Sequence, residues 1–89
     1  MFSWDTRKAI TNFEKHGVSF EEAATVFHDR LHGTVYDGVH SEDEVRWLTI
    51  GYSSERRLIV VSHTDRGNKI RLISARRPTR TQRETYERG

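Results

Sequence analysis

The sequence predicts an α+β fold, on three observations. Residues 1–30 hold two stretches with apolar residues at helical spacing. Residues 34–76 are rich in β-branched and aromatic residues, broken by short polar turns. A proline at 78 then introduces a third helical signature. The expected arrangement is an antiparallel sheet packed against two N-terminal helices, with a C-terminal helix at the end. At 89 residues the chain reads as a single domain, 1–89. A chain of that size buries roughly 60–65% of its unfolded surface, enough for one modest core.

The elements follow in order. Phe2 and Trp4 alternate with Met1 and Ser3, which fits a short strand. Asp5 suits an N-cap, because its carboxylate accepts orphan backbone N–H groups. Ala9, Ile10 and Phe13 follow at helical spacing, Lys15 and His16 fill the last turn, and Gly17 suits the position just past the end. The first helix is therefore placed at Thr6–His16. Ser19 and Glu22 have the spacing of a capping box, and Phe20, Ala23, Ala24 and Phe27 form one face. The second helix is placed at Phe20–His28. TVYD (34–37) reads as a brief strand and DGVHSEDE (37–44) as a polar loop. EVRWLTIGYS, RLIVVSHT and KIRLISA read as three strands, joined by turns at SSER and RGN in an antiparallel meander. Thr79 and Gln82 repeat the capping-box spacing and start a helix over Arg80–Arg88.

Composition narrows the chemistry. There is no cysteine, which excludes disulfides and thiolate metal sites and suits a reducing cytoplasm. No apolar run nears the roughly 20 residues that span a bilayer, and MFSWDTRKAITNF has no apolar signal core. The expectation is a cytoplasmic protein without membrane contact. Charge is unevenly spread. Residues 66–89 carry eight bases against two acids, whereas residues 1–65 carry seven bases against eleven acids. KIRLISARRPTRTQR, residues 69–83, holds six bases and no acid. Such a segment points to a polyanionic partner, nucleic acid or an acidic protein; the plainer alternative is a solvated face. In the last strand Ile70, Leu72 and Ser74 are expected on one face, and Lys69, Arg71 and Ile73 on the other. The face away from the helices is expected to carry Arg71, with His63 as a further candidate for it.

The stretches WDTRKAITNFEKHGVSFEEAATVFHD, HSEDEVRWLTIGYS and VVSHTDRGNKIRLISARRPTRTQRETYE, in that order, resemble the BrnT family of toxins from type II toxin–antitoxin systems. The resemblance covers nearly the whole chain. It implies a compact RelE-like ribonuclease fold and an RNA-cleaving activity that arrests growth. It also implies a BrnA-type antitoxin with a ribbon-helix-helix domain, in a complex of two toxins and two antitoxins that represses its own operon, so that operator DNA is met only through the antitoxin. Two loop positions depart from the pattern: Arg30 stands where a proline often follows the aspartate, and SSER replaces a glycine-bearing hairpin turn.

Cleaving RNA without metal requires the 2′-OH to attack the adjacent phosphate, with one group taking a proton, another giving one, and cations stabilising the phosphorane. Arg71, Arg76 and Arg80 are the candidate phosphate clamps, with Arg83 beside them on the terminal helix; the arginine fork suits phosphate and stays charged. Arg77 is expected to face solvent or the antitoxin. Proton-transfer candidates are His63, His16, Lys15, Glu84 and Tyr86. Three have plainer alternatives as well: a half-buried strand imidazole for His63, a dipole-favoured helix end for His16, and an ion pair four residues away for Glu84. Tyr86 reads as a base-stacking group or as a packing residue. His28 and His32 are four apart, but HDRLH lacks the glutamate of HExxH and the helix is expected to end near Asp29, so no metal and no cofactor is expected. The alternative to a nuclease is a basic module that binds nucleic acid or an acidic protein without chemistry.

Overall fold

The computed structural model describes residues 1–89. One five-stranded sheet organises the chain, in the order β1-β5-β4-β3-β2. The strands are β1 (Phe2–Ser3), β2 (Gly33–Tyr36), β3 (Trp47–Tyr52), β4 (Leu58–Arg66) and β5 (Lys69–Arg76). The helices are α1 (Thr6–His16), α2 (Phe20–Thr25, running on as a 3-10 turn through His28) and α3 (Arg80–Arg88). β2 to β5 form the expected antiparallel meander. β1 departs from it: this strand pairs parallel with β5, Phe2 opposite Ile70 and Ser3 opposite Arg71. A parallel pair needs a long crossover, and α1, α2 and three strands supply it.

The helix ends follow their caps. Asp5 accepts from the N–H groups of Arg7 and Lys8, and Gly17 closes α1 at φ 69° with its N–H on the Phe13 carbonyl. Ser19 caps α2 and Thr79 caps α3, the latter through a reciprocal capping box with Gln82. α1 and α2 cover one face of the sheet. There Val18, Phe20, Ala23 and Val26 meet Ile59 and Val61 of β4 and Leu72 and Ala75 of β5. Each large apolar side chain buried this way contributes about 1.5–3 kcal/mol.

The inward stripe of α1 differs from the expected one. Ile10 and Phe13 are each 56% exposed, and the stripe that meets the sheet is Ala9 with Asn12. Asn12 is buried because it serves as a substitute strand partner. Its amide Nδ2 donates to the carbonyls of Val18 (3.0 Å) and Ala75 (2.9 Å), and its Oδ1 accepts from the Ala75 N–H (3.0 Å). β1 pairs only with Ile70 and Arg71. Asn12 therefore satisfies backbone groups on the open edge of β5 that no strand reaches.

A bulge re-aims β5. His63 pairs with Leu72 and Ser62 with Ser74, so Ile73 is the extra residue. Beyond it Ser74 faces away from α1 and α2 while Ala75 enters the core, contrary to the simple alternation that put Ser74 beside Leu72. Arg71 and Arg76, opposite Thr64 and Val60, both fall on the face away from α1 and α2.

The β3–β4 hairpin is tied down by Glu22 of α2. Its carboxylate accepts from the Arg57 guanidinium and the Ser53 hydroxyl, while Arg57 also reaches the Gly17 carbonyl. Arg56 supplies the positive φ (61°) of this turn, where a glycine is the easier residue. Gly51 on β3 leaves little room for a side chain: a Cβ there would lie 3.0 Å from the His32 Cβ and 3.1 Å from an Asp29 carboxylate oxygen. The Arg57 hydrogen bond, opposed by burial and helped by Ser53, holds the Glu22 carboxyl below its usual 4.5. A lowered folded-state value means that this stabilisation is complete above pH 4.5 and is lost as pH falls through the folded value. Glu22→Gln is therefore expected to cost about 2 kcal/mol at neutral pH. The gap from the wild-type chain should close on acidification, as read by denaturant melts between pH 7 and 2; a gap independent of pH would contradict the pair's role.

Candidate nucleic-acid interface and active site

β5 carries the basic residues, and two helices frame it. Arg71 and Arg76 lie on the same face of the strand, about 15 Å apart along it. That spacing is longer than one phosphate-to-phosphate step of a nucleic-acid strand. The Arg71 guanidinium enters none of the six ion pairs. The Arg76 guanidinium donates to the Arg77 carbonyl (3.1 Å) and to the Gln82 side-chain oxygen (3.0 Å), which fixes it at the start of α3.

That placement runs against stability. Helix N-termini carry partial positive charge and favour acids. The first turn of α3 has no acid; it holds Arg80, and the Arg76 guanidinium lies beside it. Cations there cost the helix a few tenths of a kcal/mol each. The capping box offsets this, and an incoming anion would be attracted by both the guanidinium groups and the dipole. Arg80 is almost fully exposed and pairs with Glu84 (3.2 Å); Arg83 pairs with Glu87 (3.4 Å). Arg76 and Arg80 do not share a helix face, because α3 begins at Arg80 and Arg76 is still in β5.

A second group of bases sits along the open edge of β5. The Asn12 clamp holds α1 against the strand, and one turn further on Lys15 and His16 come to the same side. With Arg7, Lys8 and Ser74 they line a shallow cleft of about 310 Å³ that has no acidic lining. Ser74 is two residues from Arg76, so β5 links the two basic groups.

His63 belongs to neither. It lies on the opposite face from Arg71 and Arg76, 5% exposed, with its ring edge-on to Phe27. Its Nε2 is 2.7 Å from the Thr49 hydroxyl, which is 2.7 Å from the Thr34 hydroxyl. Burial lowers its pKa below the usual 6.5, opposed by Asp65 and helped by His32, which favours the neutral ring. The register explains the separation: His63 pairs with Leu72 and Trp47, which face α1 and α2.

Tyr86 holds α3 in place. Its hydroxyl donates to the Asp29 carboxylate and its ring meets Tyr52 edge-on at 5.8 Å. Asp29 also accepts from the N–H groups of Tyr52 (2.7 Å) and Leu31 (3.0 Å). Burial works against ionisation of Asp29, but these hydrogen bonds outweigh it and the carboxyl titrates below its usual range. Burial, reinforced by the Asp29 carboxylate, raises the Tyr86 phenol, which stays protonated as the donor. No group of three His, Asp or Glu side chains converges, around His28 and His32 or elsewhere. Sequence patterns missed the Asn12 clamp, the Asp29 junction and the bulge. Only Asn12 left a signal, as a polar residue three positions from Ala9 on a helix that must bury one stripe.

The family model described as "Ribonuclease toxin, BrnT, of type II toxin-antitoxin system" matches residues 4–82. The chain belongs to the BrnT family. As a BrnT-family protein it is a ribonuclease toxin, an RNA-cleaving enzyme, and its system includes an antitoxin partner. The structure is similar to the 1.1 Å crystal structure of the Brucella abortus ribonuclease toxin BrnT. The TM-score is 0.65 at 24% identity, covering 90% of this chain and 99% of that one, a likeness that speaks for the BrnT fold. No curated protein matches. No helix is long and apolar enough to cross a membrane.

Proposed function

We propose that this chain cleaves RNA without a metal ion, by attack of a 2′-OH on the adjacent phosphate, and thereby inhibits translation and growth. The observation that supports this reading is the Arg76 guanidinium fixed at the positive end of α3, whose first turn holds Arg80 and Arg83 and no acid. Arg71 and Arg76 grip separate phosphates, more than one nucleotide apart, of a strand laid along β5. Arg80 and Arg83 extend the tract over α3, and Arg77 meets solvent or the antitoxin. His16, with Lys15 beside it, is the proposed proton-transfer group; both line the cleft along β5, which supports the assignment. The 2′-oxygen bonds to phosphorus as its proton passes to the base. The bond from phosphorus to the 5′-oxygen breaks, that oxygen takes up a proton, and a 2′,3′-cyclic phosphate remains. The arginine forks offset the charge that builds on the phosphorane. Glu84 tunes Arg80 through their ion pair, Tyr86 orders α3, and His63 serves the core.

The same reading pairs the chain with a BrnA-type ribbon-helix-helix antitoxin, two toxins to two antitoxins, in the cytoplasm. The test is a time course on a defined RNA with EDTA present and the product ends identified. Cyclic phosphate ends at an unchanged rate are expected. Cleavage that stops on chelation, or ends carrying a 5′-phosphate, would overturn the mechanism.

A further inference from the structure

Strands β2 to β5 carry five serine and threonine side chains. Three are bonded within the fold: the Thr34 and Thr49 hydroxyls to each other, Thr49 also to His63, and Thr64 to the Val45 carbonyl. The other two, Ser62 and Ser74, pair directly across β4 and β5. Both are half-buried, on the face that carries Arg71 and Arg76. Neither hydroxyl has a hydrogen-bond partner in the protein, and neither is sealed from solvent. Across the sheet the next residue is Leu48, which offers them none. The bulge at Ile73 gives up regular pairing and brings Ser74 to this face.

Position identifies the ligand. On β4 the residues opposite Arg71, Ser74 and Arg76 are Thr64, Ser62 and Val60, in even steps of two. The hydroxyl pair therefore lies midway between the arginines, about 7 Å along the sheet from each. A step of that length is close to the phosphate spacing of an extended nucleic-acid strand. If Arg71 and Arg76 hold phosphates more than one nucleotide apart, the phosphate between them falls at the serines. Hydroxyls suit that station: they donate to phosphate oxygens and set no further positive charge between two guanidinium groups. We propose that Ser62 and Ser74 bind the middle of three RNA phosphates, each hydroxyl donating to a different non-bridging oxygen. This rests on the reading of β5 as the RNA tract and deepens it.

The test measures binding of the full chain to a single-stranded 2′-fluoro oligonucleotide, with EDTA present. This probe keeps every phosphate and has no 2′-OH to attack. Ser62→Ala and Ser74→Ala each delete a hydroxyl that bonds nothing in the fold, so circular dichroism melts are expected to match wild type. Affinity is expected to fall about tenfold in each. The slope of log affinity against log salt is expected to hold, because no charge is lost, whereas Arg71→Ala flattens it by about 0.7. Wild-type affinity in either serine variant overturns the assignment, since the phosphates are still present. So does a collapsed melt, because the hydroxyl then serves the fold, or a flattened slope in a serine variant. An unchanged slope in Arg71→Ala would defeat the phosphate tract itself. The probe needs no cleavage, so a wild-type chain that cut no RNA would defeat the nuclease mechanism separately from the serine assignment.

Discussion

Arg76→Ala lowers the rate of RNA cleavage by about a hundredfold or more while the chain stays folded. The expected size is that of removing one preorganised donor from a charge-developing transition state. The fold tolerates the change because the arginine's hydrogen bonds, to the Arg77 carbonyl and Gln82, lie at the surface where water replaces them. Arg71→Ala should behave alike, since its guanidinium enters no ion pair of the fold. Arg76→Lys keeps the charge but loses the planar fork, and recovers only part of the rate. Single-turnover cleavage and thermal melts, run side by side, check the claim. Full activity in Arg76→Ala would remove the phosphate tract from the account, whereas lost activity with a collapsed melt would show a structural residue instead.

Asn12→Ala acts on stability. The alanine leaves the Ala75 N–H and carbonyl and the Val18 carbonyl without their partner inside the protein. Stranding buried backbone groups costs about 1–3 kcal/mol each, less whatever water recovers, so a total of about 3 kcal/mol is expected. For a chain of this size that lowers Tm by about 15 °C. The diagnostic readout is local: the Ala75 amide should exchange with deuterium far faster in the variant. An unaltered Tm would show that β5's edge needs no partner there.

The elements were legible in the sequence because their signals are local. Caps at Asp5, Ser19 and Thr79, and Gly17 past α1, fix helix ends within a few residues. Turn residues and β-branched runs mark the meander. The face of α1 was not legible from its apolar spacing, because Ala9 and Asn12 are inward for a reason set 63 positions away, at Ala75. The basic tract could be read from charge. The company of each base could not, because it depends on sheet register. Alternation alone put His63 within reach of Arg71, and a pairing with Leu72 placed it on the other side. The resemblance of the KHG and ISAR stretches to BrnT gave the activity, which the family match now carries.

Ile73 makes β5 a strand that counts. With the extra residue looped into the bulge, position 75 is an alanine in the core and position 76 an arginine on the opposite face. Were Ile73 instead to pair with Ser62 in an unbroken ladder, the parity would reverse: Arg76 would fall opposite Ile59 and its guanidinium would be driven toward Phe20 and Leu72. The irregularity, and not alternation alone, therefore decides which side of the sheet the last basic side chain of β5 reaches.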